Sequence, residues 1–328
     1  MANTATYDDV HKTLATDCKR LLIPLINEVF GTSYDENTDV SMQQQELMLQ
    51  SGVGVKKRIM DSSIALTGKN KKECLYHIES ETAKYGKGRI PWRLFEYDAQ
   101  MARDGGELKD GILNITFPRS AVIFLREKPG GVSGLIMRIH SAEDDGGVMD
   151  IPVRVLKIQE YSIEEIFDKH LYFLIPFYIF SHEKNLKWYN NDEGKLEELK
   201  ELYEDIIRRL ELERDAGNID GYEMMTIVCM SREVLDRIAA KYKKIKEEVG
   251  EIMGGRVLEH PAKDILRRGI KQGIEQGLEQ GLKQGENERQ AEKKRADKAE
   301  NQAKKEKNRA DRAEAEVARL RKKIAAMG

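Results

Sequence analysis

Asp61, Glu79 and Glu81 are three acidic residues whose spacing could bring them together in one site. They lie in two runs of strand-like composition, residues 57–66 and 73–82, which are joined by a polar turn centred on Asn70. Antiparallel pairing about that turn places Asp61 opposite Glu79, with Cβ atoms about 4.5–5.5 Å apart. Glu81 follows two residues later, so it points to the same face as Glu79. Because carboxylates this close repel each other unless a proton or cation lies between them, the pattern predicts a site for a hard divalent cation.

A purely structural interpretation is also open. The chain is 34% charged, and acids are common on exposed strand faces. Glu81 could instead form an ion pair with Lys56, Lys57 or Lys84. The strand at 73–82 has polar and apolar residues on both faces, which predicts a central strand covered on both sides. Acids in such a strand need a partner.

Residues 60–64 followed by 77–81 resemble the Asp…Glu-x-Lys/Gln signature of the PD-(D/E)XK nuclease superfamily. Within it, the chain is most similar to the Rpn family, described as recombination-promoting nucleases or putative transposases. The opening residues 7–9, the segments 26–31 and 93–97, and Gln-Gly repeats near residues 272–285 agree with that family. The resemblance covers roughly residues 5–185 and the repeats.

This resemblance implies a divalent-metal-dependent DNA endonuclease with Mg²⁺ (or Mn²⁺) as cofactor and DNA as partner. Asp61 and Glu79 would hold the metal, and Glu81 would occupy the third catalytic position. An acid from the first helix often joins such a site, and Glu28 is preferred here over Asp17, although either could be a solvated side chain. The helix after the motif packs beside the site, so that its arginine would contact a phosphate or form an ion pair within the helix. The arginine is Arg93, and its ion-pair partner within the helix would be Glu96.

Glu81 departs from the pattern because the family usually has Lys or Gln there. A lysine would stabilise negative charge, whereas Glu81 adds to it. The residue could act as a metal ligand or as a general base, or it could mark a copy that has lost activity. The alternative function is therefore a catalytically inactive, oligomeric DNA-binding or scaffold protein on the same fold.

Hydrophobic periodicity supplies the element order. A helix over residues 8–30 contains Pro24, which predicts a kink or two helices, and Gly31 is a suitable C-cap. A first strand lies within 40–50, a helix spans 90–103, and strands follow at 112–117 or 121–126, 135–140 and 151–158. Ser162 and Glu165 form a capping box. The predicted fold is a mixed α/β sheet of the restriction-endonuclease-like kind, flanked by helices.

The predicted organisation has three parts: a nuclease-like domain over 1–190, a helical extension over 191–260, and a tail over 261–328. In the tail, glycine recurs every four residues from Gly269 to Gly285, and residues 296–324 follow heptad spacing. Close helix packing across the glycines predicts a homo-oligomer with a C-terminal coiled coil. A flexible linker and a single solvated helix are the alternatives, and a third function is a coiled-coil assembly factor with the α/β domain as platform.

Charge and hydropathy limit the other functional classes. Residues 286–328 carry 14 Lys and Arg against 9 Asp and Glu, whereas the other 285 residues carry 41 against 48. Any DNA affinity of the body must therefore be local. The apolar run at 171–180 is too short to span a bilayer and contains Pro176. Three widely spaced cysteines argue against a disulfide framework, and no signal peptide precedes the first helix, so we expect a cytoplasmic protein without membrane contact.

Overall fold

A computed structural model describes residues 5–42, 46–51, 54–59, 62–67, 73–83, 90–128, 130–142 and 147–258. The first part contains helices α1 (Ala5–Asp17) and α2 (Leu22–Phe30), strands β1 (Asp39–Met42), β2 (Glu46–Ser51), β3 (Gly54–Ile59), β4 (Ser62–Thr67) and β5 (Glu73–Glu81), and helix α3 (Ile90–Asp104). Strands β6 (Glu107–Lys109), β7 (Ile112–Asn114), β8 (Arg119–Phe124), β9 (Gly134–His140) and β10 (Val148–Lys157) follow. The remaining helices are α4 (Ile163–Asp168), a 3₁₀ segment Tyr172–Ser181, α5 (Leu186–Asn191), α6 (Glu193–Asp215), α7 (Gly221–Ile238) and α8 (Lys243–Leu258).

One six-stranded mixed sheet organises the fold, in the order β1-β4-β5-β8-β10-β9. Strands β1, β4 and β5 are antiparallel neighbours. Strand β8 then pairs parallel to β5, and helix α3 supplies the crossover that a parallel pair requires. Strand β10 is parallel to β8 and antiparallel to β9. The predicted mixed α/β class is confirmed. The predicted order of helix, three strands and helix holds for the main sheet alone, because the separate pair β2 and β3 brings the number of strands between α2 and α3 to five.

Helices cover the two faces of this sheet. On one face, Val10 and Leu14 of α1 and Leu25 of α2 share a buried cluster with Tyr76 and Ile78 of β5. On the other face, Ile90 and Leu94 of α3 pack against β8 and β10, and Tyr97 and Met101 pack near Leu75 of β5. Strand β5 is therefore a central strand covered on both sides, as its mixed pattern predicted.

The predicted strand over 57–66 is wrong in its extent. Strand β3 ends at Ile59 and pairs with β2 in a separate two-stranded sheet, while β4 starts at Ser62 in the main sheet. A physical reason lies in the three consecutive cations of β3, Lys56 to Arg58, which a sheet covered on both faces cannot accept without counter-charges. Strand β4 is instead buried from Ser62 to Leu66.

The first helical region is two helices, separated by a 3₁₀ turn at Lys19–Leu21. The break precedes Pro24, which lies in the first turn of α2 where its missing N–H costs nothing. Gly31 ends α2 with φ of 63°, in the left-handed conformation predicted for a C-cap. The Ser162–Glu165 capping box is also present at the start of α4.

The helices after residue 190 share one core with the sheet. Leu196 and Ile206 of α6 and Ile227 of α7 belong to the same buried cluster as Leu14 of α1. Helix α7 packs on α1 directly, and Arg20 forms two hydrogen bonds with Glu223 at 3.2 and 2.8 Å. The chain divides into one compact unit over 1–262 and a second over 263–328, and the predicted glycine ladder and coiled coil lie in the second, outside the described residues. Among the described residues, no helix is both long and apolar enough to cross a membrane.

Candidate functional site

The β4–β5 register is the one that the turn at Asn70 predicted. Ser62 faces Ile78 and Thr67 faces Glu73, so paired positions have the expected spacing about residue 70. Asp61 itself lies outside the described residues. Its pairing with Glu79, and its role as metal ligand, stay predictions.

A line of buried polar side chains runs across the α3 face of the sheet. Ser120 donates its hydroxyl proton to Asp98 Oδ2 at 2.7 Å, and Asp98 Oδ1 lies 2.7 Å from His77 Nδ1. His77 Nε2 then lies 3.1 Å from Glu79 Oε1, and Arg93 Nη2 lies 2.7 Å from Glu79 Oε2. His77 and Asp98 are fully buried, and Glu79 is 1% exposed. The charged members of the line therefore alternate in sign, from Asp98 of α3 through His77 and Glu79 of β5 to Arg93 of α3.

His77 is the cationic link between the two buried carboxylates. Burial opposes its charge, but the hydrogen bonds to Asp98 and Glu79 outweigh burial and raise the pKa of His77 to about 9. Both ring nitrogens therefore donate at neutral pH. The imidazolium fixes the position of Glu79, since the carboxylate loses a charged hydrogen bond if it turns away.

Arg93 and Glu81 form the more accessible end of this line. Arg93 is about one-third exposed at 34%, and its Nη2 lies 3.9 Å from Glu81 Oε2 as well as on Glu79. Glu81 Oε1 accepts a hydrogen bond from the backbone N–H of Ala83 at 2.8 Å. Arg93 therefore comes from α3 to the position between the two predicted catalytic acids.

The carboxylate oxygens of Glu79 are both occupied by protein cations. With His77 on Oε1 and Arg93 on Oε2, neither oxygen of this carboxylate is open to a divalent cation in the described arrangement. Within the described ranges, no group of three or more His, Cys, Asp or Glu side chains is arranged to hold a metal ion. A cation could reach Glu79 Oε2 only if Arg93 moved away.

Glu28, the acid predicted to join the site from the first helical region, has a different environment. Its Oε1 accepts hydrogen bonds from Lys169 at 2.7 Å and Tyr161 at 2.9 Å, beside a cavity that Arg20 also lines. Burial opposes the charge of Glu28, but these two hydrogen bonds outweigh it and lower its pKa. The alternative acid, Asp17, accepts a hydrogen bond from Tyr222 at 3.3 Å.

Asp8 is the first-helix acid that lies electrostatically close to the line. Burial raises its pKa; Lys12 and Arg93 lower it, and Glu79 raises it further. Asp8 could have been predicted from the sequence, because it belongs to the opening segment 7–9 that contributed to the family resemblance. Asp98 was also missed, although it lies one helical turn after Leu94 on the buried face of α3. A polar residue on an apolar stripe is itself a sign of a buried partner.

A second polar cluster lies on the opposite face of β5. The fully buried His11 of α1 lies 2.7 Å from Ser80 Oγ through Nδ1 and 3.1 Å from Ser62 Oγ through Nε2. Ser62 donates to the carbonyl of Ile78, so Nε2 of His11 donates to Ser62 and Nδ1 accepts from Ser80. Burial lowers the pKa of His11 to about 3, which leaves a neutral imidazole that joins α1 to the sheet.

Comparisons of the chain with protein-family models, with curated proteins and with solved structures found no match.

Proposed function

We propose that this chain is a divalent-metal-dependent DNA endonuclease of the PD-(D/E)XK superfamily and Rpn family, linked to recombination or mobile elements. The observation that carries the proposal is the placement of Glu79. It lies buried in the central strand of a sheet built in the order helix, three antiparallel strands, helix and parallel strand. Glu81 follows one pleat later on the same strand, towards solvent. This is the arrangement that the restriction-endonuclease-like resemblance implies.

Arg93 can supply the positive charge that the residue at position 81 lacks. The resemblance leads one to expect a Lys or Gln there, and Glu81 provides no positive charge. Arg93 reaches the space between Glu79 and Glu81 from α3, and it is exposed enough to meet a phosphate. In the proposed reaction it binds a phosphate oxygen and neutralises the charge that develops there. Glu81 accepts a proton from the water that attacks the phosphorus, and the bond from phosphorus to the leaving sugar oxygen breaks as the new P–O bond forms. His77 and Asp98 hold Glu79 in position.

Mg²⁺ or Mn²⁺ is the proposed cofactor, and its binding must compete with Arg93 for Glu79. Replacing Arg93 by Ala should therefore tighten Mn²⁺ binding about tenfold or more, because the cation no longer displaces a charged hydrogen bond worth about 1.5–3 kcal/mol. Isothermal calorimetry on the full chain measures this affinity. Arg138→Ala is the matched control, since Arg138 forms an exposed ion pair with Asp150. Equal Mn²⁺ affinities in Arg93→Ala and the parent would remove Glu79 from the metal site.

Hydrolysis itself is tested by nicking of supercoiled plasmid in Mg²⁺, in Mn²⁺ and with chelator. We expect metal-dependent nicking that Glu79→Gln reduces by more than about 100-fold, the scale of loss when one preorganised charged group leaves a site. Asp150→Asn should nick at the parent rate. Thermal unfolding confirms that each variant is folded. Nicking that survives in Glu79→Gln, or that ignores the chelator, would contradict the proposal.

A catalytically inactive DNA-binding or scaffold protein is the second candidate. The observation that favours it is the balance of charge around β5. His77 and Arg93 already neutralise Asp98 and Glu79 without any metal, as a purely structural ion-pair network would. In that case no metal would support nicking, and Mn²⁺ would bind no better after Arg93→Ala. A cytoplasmic location is part of both proposals and agrees with three free cysteines.

A further inference from the structure

Helix α3 presents two large aromatic side chains on its outer face. Trp92 is 72% exposed and Phe95 is 40% exposed, although Leu94 between them is fully buried. Residues three apart on a helix are surface neighbours, so the two rings form one apolar patch. Large apolar side chains that remain in water at one place are typical of an interaction site.

Trp188, the second tryptophan of the chain, shows that exposure alone does not define this patch. Trp188 is 52% exposed, but its ring stacks on Tyr189 at 6.4 Å between centroids. The ammonium of Lys195 lies 4.8 Å from the centroid of the same indole ring. Contacts within the chain therefore account for Trp188, which makes it a suitable reference for Trp92.

The location of Trp92 relates the patch to the line of charged groups. Its neighbour in sequence, Arg93, places its guanidinium on Glu79 and near Glu81. A ligand lying over Trp92 and Phe95 would therefore meet Arg93 beside the proposed cleavage site. Trp92, Arg93 and Phe95 lie within one turn of α3, and Arg93 connects that turn to Glu79 and Glu81 of β5.

The sequence around the start of α3 indicates the charge of that ligand. Residues 82–95 contain four Lys and Arg and no Asp or Glu, in a body that otherwise carries more acids than bases. A short basic segment with interleaved aromatic residues suits a polyanion with flat, apolar groups. A nucleic acid has this chemistry, and its bases can stack on the two rings only where they are not paired in a duplex.

We propose that Trp92 and Phe95 form a stacking platform for unpaired bases, with Arg93 bound to the adjoining phosphate, so that the chain prefers single-stranded over duplex DNA. This inference rests on the proposed nuclease function for its choice of DNA, but binding does not require cleavage. Each lost ring should weaken binding about 5- to 150-fold, the range that corresponds to base–aromatic stacking.

Binding to a 20-nucleotide oligothymidylate in chelator tests the platform without any cleavage. For the full chain, we expect the single strand to quench tryptophan fluorescence and to bind more tightly than a duplex of equal length. Trp188→Ala should keep both the quenching and the affinity, because Trp92 is then the only tryptophan. Trp92→Ala should lose the quenching and bind the single strand about 5- to 150-fold more weakly by anisotropy, while Trp92→Phe restores most of the affinity.

The outcomes separate this inference from the proposed function. Since all binding is measured in chelator, a protein that never cleaves DNA can still pass the test. Parent-like oligothymidylate affinity in Trp92→Ala, or tighter binding of the duplex by the parent chain, would overturn the inference. A fall in sedimentation mass in Trp92→Ala, with unchanged DNA affinity, would instead make the patch an interface between protein chains. Trp92 is largely exposed, so its substitution should leave the melting temperature unchanged.

Discussion

The carboxylate of Asp98 is fully buried, and two protein hydrogen-bond partners take the place of water. His77 and Ser120 each lie 2.7 Å from one of its oxygens. Removing one member of such a buried network leaves an uncompensated charge on the others, which costs far more than an exposed ion pair contributes. The chain offers both cases for comparison, since Asp150 meets Arg138 at the surface.

Asp98→Asn should lower the free energy of unfolding by about 3–5 kcal/mol, because the buried imidazolium of His77 loses one of its two counter-charges. Urea unfolding at pH 7 measures the change. Asp150→Asn is the control and should leave stability nearly unchanged, since water already surrounds both partners. A loss below about 1 kcal/mol in Asp98→Asn would show that His77 is neutral in the folded protein.

His11 gives stability a dependence on pH. Its pKa is about 3 in the folded protein, below the ordinary value of 6.5. As pH falls below 6.5, the unfolded chain takes up a proton that the folded chain refuses, so stability decreases by about 1.4 kcal/mol per pH unit until pH approaches the folded value. Urea unfolding of the parent and of His11→Gln at pH 7.5, 6.5, 5.5 and 4.5 measures this contribution. The parent should lose stability more steeply, and exposed His140→Gln should follow the parent.

At the scale of elements, sequence patterns predicted the features that depend on nearby residues and on hydrophobic periodicity. The β4–β5 register followed from the turn at Asn70, and helix α3 followed from the hydrophobic periodicity of residues 90–103. The change of sheet between β3 and β4 was missed because periodicity does not reveal which strand a segment pairs with. The same limit applies to Arg93, whose partner on β5 depends on how α3 crosses the sheet.

Gly31, at the end of α2, allows the energetic cost of a left-handed backbone conformation to be measured without a steric clash. Gly31 has φ of 63° and Gly221 does not have a positive φ, yet a Cβ atom added at either would meet nothing within 4 Å. Gly31→Ala should therefore cost about 1 kcal/mol through the left-handed conformation alone. Gly221→Ala, in the first turn of α7, should be neutral or stabilising by up to about 1 kcal/mol. Equal effects in urea unfolding would mean that α2 can end in another way.

At the scale of the whole molecule, the sequence indicates two kinds of stabilisation. The unit over 1–262 has a continuous core, whereas the unit over 263–328 carries the glycine ladder that begins at Gly269. Five glycines cost a helix about 4–5 kcal/mol relative to alanine. Such a segment is helical only if another helix packs against it, and a second copy of the chain is the proposed partner.

The full chain should therefore sediment as an oligomer, most simply a dimer, and a chain ending at Pro261 should sediment as a monomer. Analytical ultracentrifugation over a range of concentrations measures both masses. Circular dichroism supplies the control, because the shortened chain should keep the signal of the described helices. If both chains sediment as monomers, the oligomer prediction is wrong. Residues 263–285 would then serve as a tether, and the basic tail would contribute contacts to phosphates.

The packing of α1 on α7 has a consequence for synthesis of the protein. Arg20, in the 3₁₀ turn that follows α1, and its partner Glu223 of α7 are 203 residues apart in the chain. At about 5–20 residues per second, a ribosome needs about 10–40 seconds to deliver α7 after α1 has been made. During that interval the apolar side of α1 is without one of its final neighbours. We therefore expect substitutions that weaken the α1–α7 contact to lower the yield of folded protein in cells, because α1 must wait for α7 with its apolar side exposed.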